Sequence, residues 1–369
     1  MIRWFLSWFT GQSTTSFLYT ERERSIYIYW DGKKDRKRVT ISGASEEFKF
    51  ECRSKPVLVN VDAEKMLVCI KKDNHTREEW IYQYHHAPLY LDRYEAIYHA
   101  GLQVEKDSLY GQVIMDALND PLAGIRAFAV SSVSKSMKSK YRLKEKLMTM
   151  AGSDPKSKVR AVAIHTLEHF YDDKDLNILY KEATNDSSYE VIERALKALV
   201  KNDSLTALQM ARKFEETDDE ELLTIISSVY ARSGSDPENN FFVNAIAKAS
   251  GGEIYRLVSD YGVFLLRCKN EILEGGIKII EEKARYGEPW WVRLSAIHTL
   301  SALQDGLESK EKEVSKKMNA LKKDDQGKAA LEKDSGLLKT SIEKIDSLVE
   351  TIKKEEKDKN LRKIFDGGK

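Results

Sequence analysis

Three cysteines in 369 residues, Cys52, Cys69 and Cys268, are too few for a disulfide framework or a four-thiolate zinc site. Cys52 and Cys69 fall on neighbouring predicted strands, so a cross-strand pair stands beside the commoner alternative of buried free thiols. Proline is scarce, at 6, and glycine numbers only 19, which excludes collagen-like and low-complexity chains and suits helices. Net charge is almost absent: 60 Lys and Arg face 59 Asp and Glu, so no global field draws in nucleic acid or cations. Long apolar runs are missing as well. The stretch Trp4 to Phe9 is too short for a signal-peptide core or a membrane span, and its aromatic side chains are expected to pack against a neighbour. No Gly-rich phosphate loop, no G-x-S-x-G elbow and no cysteine with an evident base occurs.

What is present is a chain of 41% hydrophobic and 32% charged residues, long enough for two or three domains. From about Ser16 to Ile70 the pattern has period two. The runs Ser25–Trp30, Lys37–Ile41, Glu47–Glu51, Val57–Val61 and Met66–Ile70 are rich in aromatic and β-branched residues, and Asp31-Gly32 supplies turn chemistry between the first two. Five or six short strands are expected, forming a thin antiparallel domain that needs packing from a neighbour.

After His75 the period becomes helical. Glu78–Tyr84 and Tyr90–Ile97 place apolar residues three and four apart, with Pro88 dividing two helices. The chain then repeats itself. Asp120-Pro121 followed by Ile125, Arg126, Ala127 and Ala129 recurs as Asp154-Pro155 followed by Val159, Arg160, Ala161 and Ala163. A weaker copy begins at Asp186, and Val292–Leu300 matches Val159–Leu167 about four periods later. Fixed-period similarity in helical sequence means stacked repeats, with Asp-Pro starting a helix and small alanines admitting its partner. The expected fold is a small antiparallel β-sandwich over residues 16–74, followed by an all-α HEAT/armadillo-like superhelical domain over 75–369. Leu338, Ile342, Ile345, Val349 and Ile352 mark one apolar face in the charged tail, read as a terminal capping pair from about 306 with a coiled-coil dimer as the alternative. Gln326-Gly327 reads as a loop.

His165-Thr166-Leu167-Glu168-His169 has the inverted zinc-protease spacing H-x-x-E-H. Against a zinc centre, His298 occupies the same repeat position as His165 but is followed by Ser301-Ala302, and no third ligand with matching spacing follows. His85-His86, with His75 and His99, are read as structural, because adjacent positions on a helix point to different sides. The repeat arginines Arg126, Arg160 and Arg293 either line a binding face or pair with repeat aspartates in a ladder.

The stretch from Lys55 to Val68, then Glu78–Tyr84 and Tyr90–Ile97, resembles the gluzincin aminopeptidase family, that of aminopeptidase N. The resemblance covers about residues 50–100; beyond that it rests on architecture. It implies a β-sandwich leading into a HEAT-like domain, with residues 1–15 as the end of an upstream helical segment. The family's H-E-x-x-H helix and G-x-M-E-N loop occur nowhere in these residues, so no catalytic or metal-ligating residue carries over and the chain alone is expected to be inactive. Zinc is expected in the parent's catalytic domain, with that upstream domain and the parent's peptide substrate as partners and no nucleic acid or transmembrane segment. Parents of this pattern are often exported to the periplasm or cell envelope, while these residues leave the compartment open. The residues expected at a concave face or interdomain contact are Trp80, Tyr84, Tyr90, Arg93, Arg126, Arg160 and Arg293. The other reading is a free-standing HEAT-repeat scaffold for protein interaction; the architecture also resembles a transcription-factor subunit that kept the peptidase fold without its zinc.

Overall fold

The computed structural model describes residues 22–30, 32–41, 47–52, 54–66, 71–321 and 326–366. The Trp4–Phe9 segment, Asp31 and Cys69 lie outside the described residues. The chain divides into two compact units, the first ending at Tyr171 and the second beginning at Asp172.

The first unit opens with one antiparallel sheet in the order β2-β1-β3, from β1 (Arg22–Trp30), β2 (Lys33–Ile41) and β3 (Leu58–Asn60). Trp30 faces Lys33 across the hairpin, and Gly32 takes φ +71, a conformation that a two-residue turn demands and glycine supplies without a Cβ clash. Alternation sends Ile26, Ile28, Val39 and Val59 to one apolar cluster, completed by Val61 and by the partly buried Trp30, Phe48, Phe50 and Cys52.

Of the runs expected as strands, three pair among the described residues, while residues 67–70 of the last run lie outside them, and no second sheet faces the first among the described residues. The run Glu47–Glu51 joins no strand ladder among the described residues: its two phenylalanines reach the core cluster while Glu47, Lys49 and Glu51 are exposed. Period-two patterning there reports a one-sided apolar contact, not a ladder. At the opposite edge, β2 carries Lys33, Lys34, Asp35, Arg36, Lys37 and Arg38, charges that discourage a further strand from pairing. Cys52 and Cys268 are free, and burial pushes the Cys268 thiol up to about 12, so it stays protonated and inert.

Sixteen α-helices follow among the described residues. In the first unit these are α1 (Arg77–His86), α2 (Tyr90–Gln103), α3 (Tyr110–Ala117), α4 (Ala123–Ser132), α5 (Leu143–Ser153) and α6 (Ser157–Phe170). Thr76 starts α1 with a capping box: its hydroxyl accepts from Glu79 N, and the Glu79 carboxylate accepts from Thr76 N. Helix α1 packs on α2, α2 on α3, α3 on α4 and α5 on α6, and α2, α4 and α6 also stack on one another as a continuous layer. Ala129, Ala161 and Ala163 are fully buried, which lets these backbones approach.

The second unit holds α7 (Leu176–Ala183), α8 (Tyr189–Asn202), α9 (Ser204–Ala211), α10 (Glu220–Ser233), α11 (Asn239–Lys248), α12 (Gly251–Leu265), α13 (Asn270–Tyr286), α14 (Trp290–Ala320), α15 (Gln326–Glu355) and α16 (Lys359–Phe365). Here α8, α10, α12 and α14 form the stacked layer. The paired-helix, HEAT-like pattern thus holds inside each unit. Gln326-Gly327, expected as a loop, opens α15 instead. That helix lies against α14 and buries Leu338, Ile345, Val349 and Ile352, four of the five residues expected on its apolar face, with Ile342 half-buried.

The Asp-Pro start works differently from expectation. Pro121 and Pro155 lie ahead of the first helical turn, and the aspartate carboxylate closes the turn that leads into the helix: Asp120 accepts from Leu122 N at 2.8 Å, Asp154 from Lys156 N at 3.0 Å and Asp186 from Ser188 N at 2.9 Å. The third copy has no proline and closes the same turn, so the side-chain oxygen carries the signal. Accordingly, Pro155→Ala should change unfolding free energy by at most about 1 kcal/mol. Asp154→Ala, which also strands the Arg126 guanidinium, should cost about 3–5 kcal/mol. Urea titrations of the two variants check the ranking.

Candidate polar cleft and joint

The corner between α1 and α2 is turned by Ala87 and Pro88, where proline biases the preceding residue toward extended backbone and ends the first helix. This corner opens a cleft of about 430 Å³ lined by Tyr84, His85, His86, Ala87, Pro88, Arg93 and Asp120. Asp120, at the head of the first repeat, is its hub. Arg93 from α2 donates Nη1 to both Asp120 carboxylate oxygens at 3.0 and 2.8 Å, and Tyr84 from α1 donates its hydroxyl to Asp120 at 3.3 Å. Burial, reinforced by the Asp120 charge, raises the Tyr84 phenol well above its ordinary range, so it acts as a donor only. On the rim, His85 lies 3.5 Å from Asp116, and His86 stacks on Tyr82 at 3.8 Å between ring centroids. The cleft presents one half-buried cation already held by its carboxylate; it assembles no nucleophile beside a base.

The relay continues into the next repeat. Arg126 donates to the Asp120 backbone carbonyl at 2.9 Å and grips both oxygens of Asp154 at 2.8 Å each; Arg160 in turn donates to the Asp154 carbonyl at 2.8 Å. In the second unit Arg293 bonds the Gly287 carbonyl at 3.0 Å, Glu288 at 3.1 Å and Glu356 at 2.9 Å. Trp80 lies apart from the cleft. It is buried, stacked on His99 at 4.7 Å and tilted against His75 at 4.7 Å, and its Nε1 has no hydrogen-bond partner among the described residues. Burial lowers the His75 and His99 imidazoles below the ordinary histidine value, so both stay neutral and structural. Tyr90 is exposed and stacks on Tyr94, which itself lies 4.0 Å from Phe128. Of the seven expected residues, Tyr84, Arg93 and Arg126 meet at Asp120.

A second constellation was not singled out beforehand as a site. Lys65 reaches Asp92 at 2.8 Å and Glu95 at 3.0 Å, and Lys71 reaches Asp73 at 2.9 Å and the same Glu95 oxygen at 3.0 Å. Asn60, the last residue of β3, donates to Asp92 at 2.9 Å, and Gln83 donates to the Asp92 carbonyl and to Glu95. Burial alone would lower the Lys71 ammonium, but Asp73 and Glu95 outweigh it and hold it above its usual value. Burial, helped by Asp92, pushes Tyr29 of β1 up to about 12, where it packs edge-on against Tyr82 of α1. This network rivets the sheet to α1 and α2. Its sequence signal was the acidic Asp92 and Glu95, three apart at the start of a helix.

The H-x-x-E-H residues also converge. His165 and His169 are exposed on α6 with ring centroids 4.2 Å apart, and His169 Nδ1 lies 3.0 Å from the His165 carbonyl and 2.7 Å from Glu168.

No family model and no curated protein matches the chain. Solved structures similar to it include the complex of CpcE and CpcF of phycocyanin lyase from Nostoc sp. PCC7120, at 14% identity and TM-score 0.38, covering 74% of this chain and 98% of that one. Aminopeptidase A of Legionella pneumophila in complex with aspartic acid is similar at 12% identity and TM-score 0.40, over 88% of this chain and 46% of that one. The archaeal HEAT-like repeats protein from Thermococcus onnurineus NA1 is similar at 12% identity and TM-score 0.27, over 73% of this chain and 100% of that one. The chain thus spans under half the length of the aminopeptidase. At such distances the likeness assigns no residue a role.

Two expectations follow from the charge geometry. Asp92 is fully buried, so Asp92→Ala should lower unfolding free energy by about 3–5 kcal/mol in urea titration, whereas Asp92→Leu combined with Lys65→Met should cost less because no charge is left unpaired. Asp154 has its carboxyl held below the ordinary range: burial opposes this, but the Arg126 hydrogen bonds and charge prevail. A depressed folded value contributes stability that is present above the unfolded carboxylate value and is lost as pH falls through the folded one. The stability gap between the protein and Arg126→Leu should therefore be complete above about pH 5 and shrink below about pH 4 in acid titrations followed by circular dichroism.

Proposed function

We propose that this chain is a non-catalytic helical-repeat region whose work is shape, and that it serves as the C-terminal part of a zinc-dependent aminopeptidase, walling and closing the peptide chamber of a catalytic domain. One observation carries the reading. The residues that resemble the aminopeptidase N family, Asn60, Lys65, Gln83, Tyr84, Asp92, Arg93 and Glu95 among them, are taken up by ion pairs and hydrogen bonds that fix the sheet on the first helices and those helices on Asp120. The residues on which the resemblance rests thus build a joint, and a joint of this kind is useful when a sheet must be held at a set angle to a helical wall. Neither the family's zinc-binding helix nor its amine-holding loop is present in the sequence, so no step of peptide hydrolysis is derived for these residues.

The second reading, a stand-alone scaffold, draws on the outer side of α2, where Leu91, Tyr98 and Leu102 are 46%, 54% and 57% exposed. Such side chains suit a protein partner. Antibody raised against this chain separates the two. The peptidase reading expects a polypeptide well above 42.3 kDa in the source cells, co-purifying with zinc-dependent release of N-terminal residues. A species of 42.3 kDa without that activity favours the scaffold. The purified chain should hydrolyse no aminoacyl p-nitroanilide with or without zinc, and zinc-dependent turnover by the chain itself would overturn the non-catalytic reading.

A further inference from the structure

His165 and His169 stand one turn apart on α6, with Glu168 between them. One donor atom from each of these three side chains lies within 4.8 Å of the other two. We propose that they form a surface site for a divalent transition cation of the zinc class, one that binds the ion without hydrolysing anything.

The donor set decides the class. Two imidazole nitrogens and one carboxylate oxygen suit zinc and its borderline neighbours, whereas calcium and magnesium call for shells of oxygen. Donors around a tetrahedral zinc stand roughly 3.3 Å apart at bond lengths of about 2.0–2.1 Å. The present span closes to that by side-chain rotation, which both exposed histidines can make. The outer support is already in place: His169 Nδ1 has the His165 carbonyl at 3.0 Å as an acceptor, which favours ligation through Nε2, and the Glu168 carboxylate leaves its 2.7 Å contact with Nδ1 to take the ion. His169 also stands in the last turn of α6, where the backbone carbonyls favour a positive charge.

The repeat supplies a control. His298 on α14 holds the position equivalent to His165 and is likewise exposed, but Ser301 and Ala302 stand where Glu168 and His169 complete the first copy. Glu168 and His169 are thus an addition to the repeat, not part of its framework. None of the three donors lines the α1–α2 cleft, and both histidines are exposed. Coordination positions left over are open to water or to a side chain from another molecule.

Calorimetric titration of the full chain with Zn²⁺, and with Co²⁺ followed by its visible d–d bands, tests the site. One equivalent should bind saturably. Glu168→Gln should weaken it about 10- to 100-fold, and His165→Ala with His169→Ala should remove it, while His85→Ala with His86→Ala leaves it unchanged. Because both α6 histidines are exposed, matched thermal melts should confirm that the variants fold. The proposal falls if no saturable binding occurs up to about 1 mM cation, or if the α6 double variant binds as the wild type does.

Discussion

The aspartate at the head of each repeat is the constraint on which the helical architecture of the first unit depends. Its carboxylate closes the turn that leads into the coming helix, and it also takes the guanidinium of an earlier one: Arg93 at Asp120, Arg126 at Asp154. Its backbone carbonyl accepts the arginine of its own repeat, Arg126 or Arg160. One residue thereby ties together three points on the chain. The net stabilisation of such a buried pair is small, because desolvation cancels much of the attraction. What the pair adds is registry, since a helix that slid along its neighbour would leave a charge buried without a partner. The second unit keeps the theme with other residues, Arg212 on Glu238 and Arg293 on Glu356.

The same logic operates where the sheet meets the helices. Lys65 and Lys71 lie among Asp73, Asp92 and Glu95, so negative groups outnumber positive ones in a nearly dry space. Asp92 is tolerated there because it sits in the first turn of α2, where unpaired backbone N–H groups favour an anion, and because Asn60 donates to it. With only three residues in β3, the sheet is little more than a two-stranded hairpin, which is marginal without packing from a neighbour. Ion pairs aimed at α2 give it one orientation, which apolar contact alone would leave loosely specified.

The helical repeats were legible because their period is written several times over, and the charged tail because Leu338, Ile345, Val349 and Ile352 keep one face. Strand number was not legible. Alternating phenylalanines at Phe48 and Phe50 look the same whether the segment pairs in a ladder or merely rests on a core. The role of Asp-Pro was half legible: proline is the conspicuous residue, but the carboxylate beside it closes the turn into the helix. In the candidate sites, Tyr84 and Arg93 were found while Asp120 was taken only as a repeat marker, and Lys65 with Glu95 passed as ordinary charges. A hub that gathers partners 27 and 36 residues away leaves no local pattern.

Conspicuous residues in a repeat protein are thus poor guides to its chemistry. Trp80, Tyr84, Arg126 and Arg293 stand out in the sequence, yet each has its polar or aromatic surface engaged by the framework. Framework positions are the costly ones to change, whereas an exposed helix position away from such contacts tolerates substitution within about 0.5 kcal/mol. Binding chemistry is therefore added most readily on the outward face, and it shows as a difference between copies. His165 and His298 are the shared part of one such face, and Glu168 with His169 is the difference. Comparing equivalent exposed positions, once the buried ones have been assigned to stacking, locates a candidate site that neither period nor composition reveals.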